Sequence, residues 1–150
     1  MLPALILLAL SGCPQTEPLP PEPTIETRWL PATPGERERA LEDQLAGFSQ
    51  TMWEVGYRYA ELHQAVAEEN VGYADYQLEH IAEAIELGIL RRPARAANAR
   101  VFLDREVPAV QEALDSGEAE GMQSGLERLA TACETCHDAE DVAFIPVRPR

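Results

Sequence analysis

Lysine is absent from the chain. All 12 basic residues are arginines, set against 26 Asp and Glu, for a formal charge of −14 over 150 residues. So acidic a surface repels phosphate backbones and excludes nucleic acid as a partner, while any charged protein partner should be basic. The missing lysine we read as a compositional bias of the genome rather than a functional feature. Aromatic residues are scarce at 6%. β-Branched residues are few, and no stretch alternates apolar and polar with a period of two, which argues against strands. Cysteine is scarce as well: there are three, and they are not spread as a disulfide framework would be. Cys13 ends an apolar leader, whereas Cys133 and Cys136 lie far downstream and three residues apart. What is present is a 45% apolar chain, enough for a sizeable core in one domain with a tail.

The apolar run Met1–Leu10 is too short to span a bilayer, which takes about 20 residues, and suits the h-region of a signal peptide. It is followed by Leu10-Ser11-Gly12-Cys13, which resembles the lipobox of bacterial lipoprotein signals, although the n-region departs from that pattern in having no Lys or Arg. The resemblance implies a signal peptide over 1–12 and a lipidated Cys13, with a membrane anchor at the cell envelope facing the periplasm. Pro14 follows Cys13 with no retention Asp, which slightly favours the outer membrane. Residues 13–33, rich in proline (Pro18, Pro20, Pro21, Pro23, Pro31), read as an extended tether. At about 3.1 Å per residue it would hold a domain up to ~60 Å from the anchor.

From Pro34 the pattern becomes helical. Thr33 and Glu36 form a capping-box pair around Pro34. Leu41, Leu45, Phe48, Met52, Val55, Tyr59, Leu62 and Val66 recur in steps of four and three, a bundle seam, until Asn70-Val71-Gly72 breaks it. A second helix is expected over about Tyr73–Leu90, with Ala74, Leu78, Ile81, Ile85 and Gly88 inward, and Arg91-Arg92-Pro93 ends it. A third is expected over Ala94–Ser116, with Ala96, Ala99, Leu103, Val107, Val110 and Leu114 inward and a kink at Pro108. The fourth, about Glu118–Asp138, carries Met122, Leu126, Leu129, Cys133 and Cys136 on one stripe. The expectation is an all-α, antiparallel four-helix bundle over 34–150. Its tail from Asp141 is non-helical and has apolar residues that would cover an exposed edge.

Cys133-Glu134-Thr135-Cys136-His137 is a CxxCH sequence. On a helix the i, i+3 and i+4 positions share a face, so two thiols and an imidazole point the same way. Two thiols can reach the two vinyl groups on one edge of a porphyrin while the next imidazole reaches the iron, and this pattern is a c-type haem attachment site. The competing readings are weaker. A structural zinc site lacks a fourth ligand, a thioredoxin-type pair lacks its βαβ setting, and a disulfide would strain a helix. No second cluster of acids, bases or nucleophiles accompanies the motif, so an enzyme has no support.

With this motif on the last helix, the chain resembles the class II c-type cytochromes, the cytochrome c′ family. The similarity spans residues 35–140 in architecture and is sequence-specific only at Cys133, Cys136 and His137. The segment from Asn70 to Tyr76 also looks like a motif in poorly characterised bacterial relatives. The resemblance implies one covalent haem c with His137 as axial ligand. The sixth position is then either vacant or held by a Met of the first helix, here Met52; otherwise Met52 is a core residue. His63 and His80, each beside its seam, are rivals for the position, and Met122 reads as core. Arg58 is the favoured partner for haem propionates, with Arg91 and Arg92 as others; Trp53 and Tyr57 are either porphyrin contacts or core. The expected function is a membrane-tethered electron carrier with a basic redox partner. The alternative is a five-coordinate haem protein that binds NO or CO. A homodimer through the first two helices is also implied by the resemblance.

Overall fold

The computed structural model of the chain describes residues 30–149. The expected signal peptide, Cys13 and all but the end of the tether lie outside the described residues. The described chain is all-helical, and no helix in it is long and apolar enough to cross a membrane.

The first expected helix is two. α1 (Pro34–Gln44) buries no residue, and Leu41 and Leu45 are 48% and 52% exposed, so the seam does not begin there. The break comes at Leu45–Gly47, where Ala46 takes a φ of 55°, a left-handed conformation that ends a helix. Thr33 does sit at the N-cap, but its hydroxyl donates to the Glu36 carboxylate (2.6 Å) and caps no backbone N–H. The seam proper starts with α2 (Phe48–Ala67), where Val55, Tyr59, Leu62 and Val66 are buried and Phe48 and Met52 pack against the core's edge. Trp53 and Tyr57 are 70% and 61% exposed and belong to no core.

α3 (Val71–Arg91) starts two residues earlier than the seam suggested, because Asn70 is a true N-cap whose side chain accepts from the Tyr73 N–H (3.1 Å). All five expected seam residues are buried. Gly88 permits the closest approach to α2: a Cβ there would lie 2.9 Å from both the Phe48 ring and the Thr51 hydroxyl.

The third segment is helical but interrupted. A 3-10 turn (Pro93–Arg95) leads into α4 (Ala96–Val101), a π turn follows over Phe102–Glu106, and α5 (Val107–Asp115) completes it. The Val107 N–H reaches back five residues to the Phe102 carbonyl. Pro108 explains the widening. A proline ring collides with the carbonyl four residues earlier, here that of Asp104, and a wider turn moves that carbonyl away. Phe102, missing from the expected stripe, turns inward and is 4% exposed.

α6 (Ala119–Ala139) carries Met122, Leu126 and Leu129 into the core. It packs broadly on α5 and the π turn and only thinly on α2. Beyond it the chain is non-helical, as expected. Val147 folds back against the core, but Phe144 stays 80% exposed. The core is a single cluster drawn from α2 to α6, a helical bundle.

Candidate functional site

The CxxCH residues occupy the last two turns of α6. Cys133 follows Leu129 by one turn and packs against the core; Cys136 and His137 are half-buried at its rim. The two thiols are not joined as a disulfide. Burial, with Cys136 and Glu134 nearby, pushes the Cys133 thiol up to about 12. Burial also raises Cys136, against the opposing charge of Arg95. Both therefore rest as neutral thiols near pH 7. No three His, Cys, Asp or Glu side chains among the described residues converge to hold an ion. The motif's donors thus share a side of the helix without meeting at a point.

One imidazole nitrogen is already committed. His137 Nδ1 lies 3.1 Å from the Ile145 carbonyl oxygen. A carbonyl only accepts, so Nδ1 carries the proton and a neutral ring has its lone pair on Nε2.

Beside Cys136 a cleft of about 410 Å³ opens between α6 and the α4–π-turn segment, walled by Val101, Phe102, Ala132 and Ala139. That volume falls in the range of roughly 300–1,000 Å³ typical of small-molecule sites. Thr131 and Thr135 also line it, but their hydroxyls donate to carbonyls of their own helix, those of Glu127 and Thr131. Neither hydroxyl proton is left for a ligand. The polar end is Arg128, whose Nε bonds Glu106 at 2.9 Å, and Asn98 stands nearer the other end. Sequence reasoning missed Arg128, Asn98 and Phe102. Arg128 was within reach: it lies eight residues before Cys136, on the same helical stripe.

The end of α6 is clamped. Glu140 accepts from Asn98 Nδ2 (2.7 Å) and pairs with Arg95. Arg92, just before this turn, lies against Gly47, and Gly88 lies against Phe48 and Thr51. The start of α2 and the end of α6 therefore occupy the same end of the bundle. Tyr59 lies beside Cys133: burial, with Cys133 and Glu134 nearby, raises its hydroxyl to about 12.

Met52 and His63 fall on the Tyr59 stripe, seven residues before and four after it. Met52 lies toward the His137 end and His63 away from it. The His63 ring meets Tyr59 edge-on (centroids 4.6 Å apart), and its Nε2 is buried without a hydrogen-bond partner. His80 is elsewhere, on α3 against Tyr76 and Glu83. Arg58 is not brought to the motif by any bond: its guanidinium binds Glu54 (2.8 Å) on its own helix and reaches Gln77 (3.5 Å) on α3. Met122 is core, 1% exposed. Comparison of the chain with protein-family models, with curated proteins and with solved structures returned no match.

Proposed function

We propose that the chain is a membrane-tethered c-type cytochrome that carries electrons at the bacterial cell envelope. The observation that carries this reading is the chemistry of one helix face. Two unpaired, neutral thiols and an imidazole with Nε2 available stand three and four residues apart, and one of them, Cys136, lines an apolar cleft. Cys133 and Cys136 would hold the haem through thioether links and His137 through its Nε2. When bound, the haem iron supplies one-electron chemistry between its ferrous and ferric states.

The chain's own residues do the rest. The cleft offers an apolar surface beside Cys136, and Arg128, which pairs with Glu106, is a second candidate beside Arg58 to meet the haem propionates. Met52, toward the His137 end of α2, would offer the iron its thioether, and such a ligand raises the reduction potential. The class II, antiparallel arrangement, the lipid anchor at Cys13, the basic redox partner and a homodimer belong to the same proposal. The alternative, a five-coordinate haem that binds NO or CO, differs only in leaving Met52 off the iron. A visible spectrum of the purified holoprotein separates the two. A low-spin spectrum unchanged by carbon monoxide is expected; a high-spin spectrum that shifts with it would establish the gas binder, and no haem band at all would reject both.

A further inference from the structure

α6 does not fray at its end. Glu140 is the C-cap, and the next residue, Asp141, takes a φ of 58°. The Val142 N–H then bonds the His137 carbonyl (2.8 Å), and the Asp141 N–H bonds that of Asp138 (3.1 Å). This pair of bonds is a Schellman motif, with an aspartate where glycine is usual. It reverses the chain at His137. A further turn closes when the Ile145 N–H bonds the Val142 carbonyl (2.9 Å). Pro146 fixes the following φ, and Val147 anchors against the core. The outcome of this route is the placement of one atom: the Ile145 carbonyl oxygen sits 3.1 Å from His137 Nδ1.

We infer that the segment Asp141–Val147 is a positioning strap for His137, in which the Ile145 carbonyl holds the imidazole in its Nδ1–H form and aims Nε2 as the ligating nitrogen. His137 is only half-buried, so without the strap water would compete for Nδ1 and both tautomers would be open to the ring. A ligating histidine whose other nitrogen donates to a carbonyl is fixed in orientation and is a more basic ligand, which favours the more highly charged ferric iron. The tautomer needs no haem; the redox consequence rests on the haem reading.

Two substitutions unhook the strap without changing a residue of the motif. In Asp141→Pro the ring fixes φ near −65° and removes the N–H that bonds Asp138. In Val147→Asp the anchor on the core becomes charged. Phe144→Ala, at a residue 80% exposed, is the control. The first measurement is long-range 15N–1H correlation on the full-length, 15N-histidine-labelled chain made without haem attachment. His137 should show Nδ1–H in the parent and in Phe144→Ala, and a mixture or the Nε2–H form in both strap variants. The second is the midpoint potential of the haem-loaded protein. Groups that hydrogen-bond the far side of a ligating imidazole alter metal affinity by roughly 10–100-fold. A tenfold greater loss of ferric than of ferrous binding raises the potential by about 59 mV in each strap variant.

An Nε2–H His137 in the parent chain overturns the inference, and so does a parent-like tautomer in both strap variants. Should either variant fail to fold, the parent tautomer decides alone. A chain that takes up no haem yet shows Nδ1–H keeps the strap and rejects the cytochrome; a haem-loaded chain with an Nε2–H tautomer in the haem-free form rejects the strap only.

Discussion

Glu140→Ala should loosen the end of the motif helix by a calculable amount. Glu140 lies three residues past His137 and is the residue through which α6 is tied to the α4 end of the bundle. Its carboxylate is 15% exposed and accepts from Asn98 at 2.7 Å. A hydrogen bond to a charged group contributes roughly 1.5–3 kcal/mol. Asn98 keeps a weaker partner in the Ala139 carbonyl (3.4 Å), which places the loss near the lower end. The Arg95 pair adds little: that guanidinium is 45% exposed, and solvent-screened pairs are worth about 0.2–1 kcal/mol. The sum for Glu140→Ala is about 2 kcal/mol. Glu140→Gln keeps an acceptor for Asn98 and loses only the charge, for about 0.5–1 kcal/mol. In a domain of this size the melting temperature should fall by roughly 8 °C for the alanine variant and 2–4 °C for the glutamine variant. Circular dichroism at 222 nm on both variants, with Asn98→Ala to close a double-mutant cycle, measures it. Equal losses in the two Glu140 variants would refute the argument, since they would make charge rather than the Asn98 bond the clamp.

Three further outcomes follow from the same geometry. Met52→Ala should turn a low-spin holoprotein high-spin and responsive to carbon monoxide; a low-spin spectrum that survives the change would exclude Met52 from the iron. Gly88→Ala gains about 1 kcal/mol of helix propensity but forces the Phe48 ring and Thr51 to move, at about 1–3 kcal/mol. The urea midpoint should therefore fall modestly, and fall further for Gly88→Val; an unchanged valine variant would mean that the two helices have room to spare. Burial lowers the His63 pKa below its ordinary 6.5, so the folded state favours the neutral ring. Its contribution is present above pH 6.5 and is lost as pH falls through the depressed value. His63→Gln should flatten the decline of unfolding free energy between about pH 7 and 5, and an unaltered slope would show that His63 does not report the fold.

The helices were legible where one face is buried by a regular neighbour. The stripe Ala74–Gly88 on α3 carries its period without interruption, and every member is buried. The stripe failed at Leu41 and Leu45, because apolar spacing says that a face exists and not that anything covers it. The break itself had only a weak signal: Gly47 is visible, but the left-handed Ala46 is not, since alanine has no special preference for that conformation. Asn70 reads in the sequence as the end of one helix, whereas it is the cap that begins the next. Pro108 announced a disturbance, and its form, a π turn that rotates Phe102 inward, depends on packing against α6. At the candidate site, the shared helix side of Cys133, Cys136 and His137 was legible from spacing alone. The Ile145 carbonyl could not be, because a backbone atom has no sequence signature. The setting of Arg58 between Tyr57 and Tyr59 does not reveal its partners: Glu54 is an i,i+4 neighbour on its own helix, which spacing does announce, whereas Gln77 meets it only through the contact between α2 and α3.

The most direct test of the account is whether haem survives denaturation on the chain. The protein should be expressed with its leader in a host competent for cytochrome c maturation, run on a denaturing gel, stained for haem peroxidase activity and weighed intact. We predict a stained band whose mass exceeds that of the polypeptide by one haem, lost when Cys133 and Cys136 are both changed to alanine. An unstained band of unmodified mass from that host, or a haem that stays on the double alanine variant, would contradict it.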